Sequence, residues 1–183
     1  MRQRLKSSME IEKKFLLREL PEQLAGCEKK EIEQGYLCVR PVVRIRKSNE
    51  DYILTYKGKW GTEDISVDAH VNQEMEMPLT GESYLHLRGK VDGHLIRKTR
   101  YLVPLPDGHT GELDVFHDRL EWLCFIEVEF SDVEDAEKFS PPAWFGENVS
   151  KDERYTNSYL TFCEDLTMFS QGGQTGCISI KER

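Results

Sequence analysis

The 183-residue sequence has no C-x-x-C pair, no surplus of basic charge and no long apolar run. Each lack removes a class of protein. The five cysteines, Cys27, Cys38, Cys124, Cys163 and Cys177, are odd in number and scattered. Neither a disulfide framework nor a thiolate zinc site follows from them, so they read as inert, reduced fillers of a cytoplasmic protein. Acidic residues outnumber basic ones by 33 to 25, a formal net charge of −8, which argues against a binder of duplex nucleic acid. A local basic cluster for a smaller anion escapes that argument. No segment nears the ~20 apolar residues of a membrane-spanning helix, and the basic start, Met1 to Ser8, lacks the apolar stretch of a signal peptide. There is no internal repeat. One folded domain over residues 9–165 is expected, after an N-terminal extension of residues 1–8. Residues 166–183 read as a loose tail in which Ile178 and Ile180 could form a short edge strand.

What the sequence does have is charge in order. Glu10-Ile11-Glu12-Lys13-Lys14, read as a strand, puts Glu10, Glu12 and Lys14 on one face and Ile11 on the other. The pattern recurs. Arg44 and Arg46 alternate with Val43 and Ile45, and Lys57 and Lys59 alternate with Tyr56. Glu74 and Glu76 lie in an alternating run from Ile65 to Met77. Lys98 and Arg100 share a face, as do Glu112 and Asp114, and Glu127 and Glu129. A Pro106-Asp107-Gly108 turn separates two of these strands. Short helices are expected at Leu20 to Gly26, Thr80 to Arg88, from Asp132, and at Arg154 to Phe162. About eight antiparallel strands with few, short helices describe a mainly β, α+β chain folded as a closed barrel or curved sheet.

The alternation fits two arrangements. The charged rows could face water around an ordinary core, or they could line a wet bore. Like charges two apart on one face repel unless a partner or counterion lies between them. Acidic pairs suit a hard divalent cation, and arginine pairs suit phosphate oxygens. Those two facts put a bore that binds a metal-bound polyanion on an equal footing with the ordinary core. The five histidines, His70, His86, His94, His109 and His117, are scattered and read as surface or packing residues.

The ordered blocks resemble the CYTH proteins, or triphosphate tunnel metalloenzymes, of the bacterial inorganic triphosphatase type. Glu10 to Lys14 matches the E-x-E-x-K signature. Val43–Arg46, Leu54–Lys59, Arg97–Tyr101, Leu113–Phe116, Ile126–Glu129 and Asp152–Asn157 follow in the family's order. The resemblance runs from about Met9 to Phe162. It implies an eight-stranded antiparallel tunnel holding a small polyphosphate or nucleoside triphosphate with Mg²⁺ or Mn²⁺, at two metal sites when substrate is bound. Carried over position by position, Glu10, Glu12, Asp114, Glu127 and Glu129 would hold metal. Lys14, Arg44, Arg46, Lys57, Lys98, Arg100 and Arg154 would grip phosphate, with Glu74 and Glu76 beside the substrate. A Lys57–Tyr36 pair would help to activate water.

The expected reaction is metal-dependent hydrolysis of inorganic triphosphate to pyrophosphate and phosphate, in which positioning and charge stabilisation dominate. The alternatives are a class IV-type adenylyl cyclase, a thiamine triphosphatase with Trp60 as stacking platform, or a non-catalytic polyphosphate-binding module. The sequence leaves the oligomeric state open, a homodimer being one option.

Overall fold

The structure, a computed structural model, describes residues 6–62, 65–167 and 169. Most of the N-terminal extension and the tail segment with Ile178 and Ile180 lie outside the described residues. Nine strands form. They are β1 (Lys6–Leu17), β2 (Glu28–Val39), β3 (Val42–Ser48), β4 (Asp51–Gly58) and β5 (His70–Pro78), then β6 (Asp92–Pro104), β7 (Thr110–Phe116), β8 (Cys124–Glu129) and β9 (Phe145–Asn148). The sheet order is β5-β4-β3-β2-β6-β7-β8-β1-β9, and a further β1–β5 pairing closes the first eight into a barrel. Every pairing is antiparallel. The expected eight-stranded barrel is therefore present, with one strand added outside it.

The strand β1 is the seam. Lys6 to Glu12 pairs with β5, Glu12 to Phe15 pairs with β8, and its end passes to β9. Closure at this strand leaves the barrel no open edge. The β3–β4 hairpin turns at Asn49, whose φ of 51° is the left-handed conformation that asparagine tolerates. Gly93, at φ +66°, lies where an added Cβ would come within 2.6 Å of the Thr161 carbonyl oxygen. The C-terminal segment can therefore lie flat on the start of β6 only over a glycine.

Apolar residues pack in two places. One cluster, including Ile11, Phe15, Val71, Val103, Leu113, Ile126 and Phe139, covers the outside of the barrel around β1, β7 and β8. The helix α2 (Val133–Lys138), capped by Asp132 as expected, and β9 close over it. The other cluster contains Leu16, Ile96, Phe116, Phe125 and Leu160. Four of these continue the charged rows of β1, β6, β7 and β8, so one end of the interior is plugged with carbon while the rest carries ions. The helix α1 (Gly81–Arg88), with Thr80 as its N-cap, lies on β3 and β4. Among the described residues no helix is long and apolar enough to cross a membrane.

Three expectations shift. The run from Ile65 pairs as a strand only from His70, because Ile65, Val67 and Ala69 pack on the outer apolar cluster ahead of the ladder. The segment Arg154 to Phe162 divides into a 3-10 turn, Glu153–Tyr155, and the single-turn helix α3 (Asn157–Leu160) capped by Thr156. The strand β9 went unseen, being four residues long and following two prolines.

Candidate active site

The alternation that splits each strand sends its charged row inward. Residues from β1, β3, β4, β5, β6, β7 and β8 line one cavity of about 600 Å³, among them Glu10, Glu12, Lys14, Arg44, Arg46, Lys57, Glu74, Glu76, Arg100, Glu127 and Glu129. Tyr36, from β2, also reaches it. The bore, not the outer skin, holds these ions.

Within the bore the ions hold one another. Lys57 Nζ donates to both oxygens of Glu10, at 2.6 and 2.7 Å, and stands 3.5 Å from Glu74. Arg44 approaches Glu74 at 3.6 Å and donates to the Thr55 hydroxyl at 3.3 Å. Arg46 pairs with Glu76 at 3.0 Å. Lys14 pairs with Glu127 at 3.0 Å and donates to the Tyr155 carbonyl at 2.8 Å. Arg100 forks onto Asp114, with both contacts at 2.7 Å, and reaches Glu127 at 2.6 Å and also Glu112. Several donors and acceptors remain over. Arg44 Nε, Arg46 Nε and Glu74 Oε1 are buried without a hydrogen-bond partner, a cost that stands unless something enters the bore.

The electrostatics follow from this packing. Burial would raise Glu10, but the Lys57 ammonium and its hydrogen bond hold it below the ordinary carboxylate value. Burial would also raise Glu127, yet Lys14, Arg100 and Lys98 pull it well down. Glu12 is the exception. Burial, reinforced by Glu127 and Glu10, lifts it to about 8. It makes no hydrogen bond or ion pair among the described residues, because the neighbouring cations are committed elsewhere. Burial raises the Tyr36 phenol although Arg44 and Lys57 oppose it, so the phenol keeps its proton at neutral pH. Lys57 stays an ammonium, Glu10 outweighing burial.

Not every expected residue faces the cavity. Lys98 and Asp114 are 1% and 0% exposed, paired with each other in the barrel wall and outside the cavity lining. Burial and Arg100 bring Lys98 down to about 8 despite Asp114. Arg154 is exposed and bonded to Asp152 at 2.6 Å, outside the lining. His70 departs from its reading as a surface or packing residue: it lines the bore, where burial and the ammonium groups of Lys14 and Lys59 lower its pKa. Its place in the even-numbered row with Asn72, Glu74 and Glu76 was the available signal. Gln34 was also missed. Fully buried, it donates to the Tyr36 hydroxyl at 3.3 Å. Trp60 stacks on Tyr56 and lies over Gly58, where a Cβ would come 2.4 Å from the indole.

Among the described residues no three His, Cys, Asp or Glu side chains already stand together as a metal cage. The donor chemistry still suits a divalent ion. Glu12 lies directly across from Glu129 on β8, with Glu10 and Glu127 close enough to raise its pKa, and a dication is the partner that would let such carboxylates ionise together.

No family model matches the chain. Among curated proteins it is 36% identical to an inorganic triphosphatase of Nitrosomonas europaea, across 82% of this chain and 95% of that one. It is 33% identical to an inorganic triphosphatase of Acetivibrio thermocellus, across 82% and 92%. A crystal structure of the inorganic triphosphatase NE1496 superposes with a TM-score of 0.61 at 34% identity, covering 84% of this chain and 95% of that chain. With this identity over nearly the full length of those relatives, and the charged rows gathered in one bore, the chain belongs to the inorganic triphosphatase family, the CYTH proteins whose motifs it carries.

Proposed function

We propose that the protein hydrolyses inorganic triphosphate to pyrophosphate and phosphate inside the barrel, with a divalent metal. The observation that supports this most is the ion network of the bore. Five bore cations, Lys14, Arg44, Arg46, Lys57 and Arg100, are each paired with a carboxylate of the same bore. A triphosphate can displace those carboxylates from the arginines and lysines, and the carboxylates so released are hard oxygen ligands for Mg²⁺ or Mn²⁺. Substrate and metal thus take the two halves of the same pairs.

Arg44, Arg46 and Arg100 would grip phosphate oxygens through their planar forks, with Lys14 and Lys57 as point charges. Glu10, Glu12, Glu127 and Glu129 would be the carboxylates that hold metal, which would supply charge neutralisation and an acidified water. Glu74 and Glu76 hold Arg44, Lys57 and Arg46. Tyr36, protonated and beside Arg44, can donate a hydrogen bond to a phosphate oxygen or hold the attacking water; with Lys57 charged, the pair positions before it abstracts. The apolar plug of Phe116 and Phe125 keeps bulk water from one end, which strengthens every charge interaction within. Lys98, Asp114 and Arg154 support the reading less directly. Asp114 braces Arg100 from behind and is itself held by Lys98, and Arg154 would have to leave Asp152 to reach substrate.

The test is release of phosphate and pyrophosphate from triphosphate, ATP and thiamine triphosphate with Mg²⁺ or Mn²⁺. Triphosphate should turn over fastest. Cyclic AMP from ATP would make the protein a cyclase, and tight triphosphate binding without turnover would make it a binding module.

A further inference from the structure

The sequence motifs leave out the residue that begins β5. His70 lies directly across from Glu12 in the β1–β5 ladder, and Glu12 lies directly across from Glu129 in the β1–β8 ladder. Residues facing each other across antiparallel strands point their side chains to the same side, with Cβ atoms about 4.5–5.5 Å apart. His70, Glu12 and Glu129 therefore form a row across three neighbouring strands, and all three line the bore. The imidazole makes no hydrogen bond or ion pair among the described residues. His70 and Lys59 also line a second cavity of about 480 Å³.

We propose that His70 is a metal ligand, giving the carboxylate site around Glu12 one nitrogen donor and biasing it from Mg²⁺ towards Mn²⁺ or Co²⁺. The proposal rests on the reading of the bore as a metal-dependent triphosphatase site and adds to it a residue outside the carboxylate set. A neutral imidazole is a good ligand for first-row transition ions and a poor one for Mg²⁺, which prefers oxygen and keeps its waters. Two or three protein ligands are enough, because the remaining positions around such an ion are commonly filled by substrate phosphate oxygens and water. His70 and Glu12 face each other across the ladder, while Glu10 pairs with Lys57 and Glu127 with Lys14 and Arg100.

The decisive measurement is pulsed electron paramagnetic resonance of Mn²⁺ bound to the whole protein. The bis-methylene analogue of triphosphate occupies the bore in this experiment, since it contributes no nitrogen. Modulation from a directly bound ¹⁴N is expected in the wild type and should vanish in His70→Gln. Mn²⁺ affinity in that variant should fall roughly tenfold or more, on the scale that even outer-sphere partners command, and the ratio of Mn²⁺- to Mg²⁺-supported kcat/KM should fall with it. Bound Mn²⁺ with no ¹⁴N modulation in the wild type would overturn the role of His70 and leave the triphosphatase reading intact. No Mn²⁺ binding, together with no turnover of triphosphate, would overturn both.

Discussion

Two ion networks share this barrel and differ in what they face. Along β1, β3, β4 and β5, Lys57, Glu10, Glu74, Arg44, Arg46 and Glu76 pair across the cavity, their side chains between 8% and 23% exposed. On β6 and β7, Lys98 and Asp114 are sealed in the wall at 1% and 0%. The groups are chemically alike, yet only the first set can trade its partners. A buried ion pair adds little net stability, because desolvation consumes most of the attraction, but stripping one member leaves an uncompensated charge. Pairs against protein therefore act as structure, whereas on the function proposed above pairs against a cavity hold places that a ligand would take.

The sharpest way to break that contrast is Asp114→Asn. It leaves Lys98 and one fork of Arg100 without their anion in a site closed to water. Urea denaturation should show a loss of about 3–5 kcal/mol. A variant of unchanged stability that fails to bind Mn²⁺ would instead return Asp114 to the metal set that the sequence resemblance implies. Arg46→Ala should do the opposite. Arg46 is crowded by Arg44 and Arg100, which with burial press its pKa down to about 10, so the fold gives up little. Catalysis loses a charge-assisted contact worth ~1.5–3 kcal/mol, roughly a 10- to 200-fold drop in kcat/KM for triphosphate. Intact kinetics would mean that this row is wall as well.

Glu12 sharpens the contrast through pH. Its carboxyl titrates near 8 when folded, against an ordinary value of 4.5. A group whose pKa is raised by folding supports the fold below its unfolded value and withdraws that support as pH climbs to the folded one. In chelator-treated protein the stability contribution of Glu12 should thus be complete below about pH 4.5 and gone by about pH 8, a change of up to about 5 kcal/mol. Glu12→Gln should flatten the pH dependence of Tm across that window. An identical slope in wild type and variant would show that Glu12 is ionised throughout.

How much of this was legible follows from periodicity. The rows Glu10/Glu12/Lys14, Arg44/Arg46 and Glu127/Glu129 were readable because period two fixes which residues share a face, and the bore is where they converge. The same periodicity cannot say how deep along a strand a residue lies. Lys98 and Arg100 look equivalent in sequence, yet Lys98 sits one step nearer the apolar plug, over the Phe116 ring, and is sealed. Cross-strand register is likewise invisible to a single strand, so His70 reads as a surface or packing residue although closure of the barrel places it against Glu12. The boundary of β5 was missed for a related reason: Ile65, Val67 and Ala69 alternate correctly but bury their side chains without joining the ladder.

A third network, on the outside, gives the smallest effect and a control. Glu33, on the outward face of β2, accepts from Arg88 at 2.6 and 3.0 Å, from Arg97 at 3.0 Å and from the Tyr84 hydroxyl at 3.1 Å. It ties α1 to β2 and β6. Arg88, with Arg97 and Tyr84, holds the carboxyl down to about 2 against the burial that would raise it. A depressed pKa supports the fold above the unfolded value and is lost as pH falls through the folded one, so this contribution should fade between about pH 4.5 and 2. Solvent reaches the cluster, and Arg97 is half exposed, so the full shift does not convert into stability. Glu33→Gln should cost about 1 kcal/mol at pH 7 and lose less than wild type on acidification, while kcat/KM for triphosphate stays within about twofold. A large fall in turnover at preserved Tm would mean that the seat of α1 on β3 and β4 sets the aim of Arg44 and Arg46, and that the outer network reaches the bore through the strands it pins.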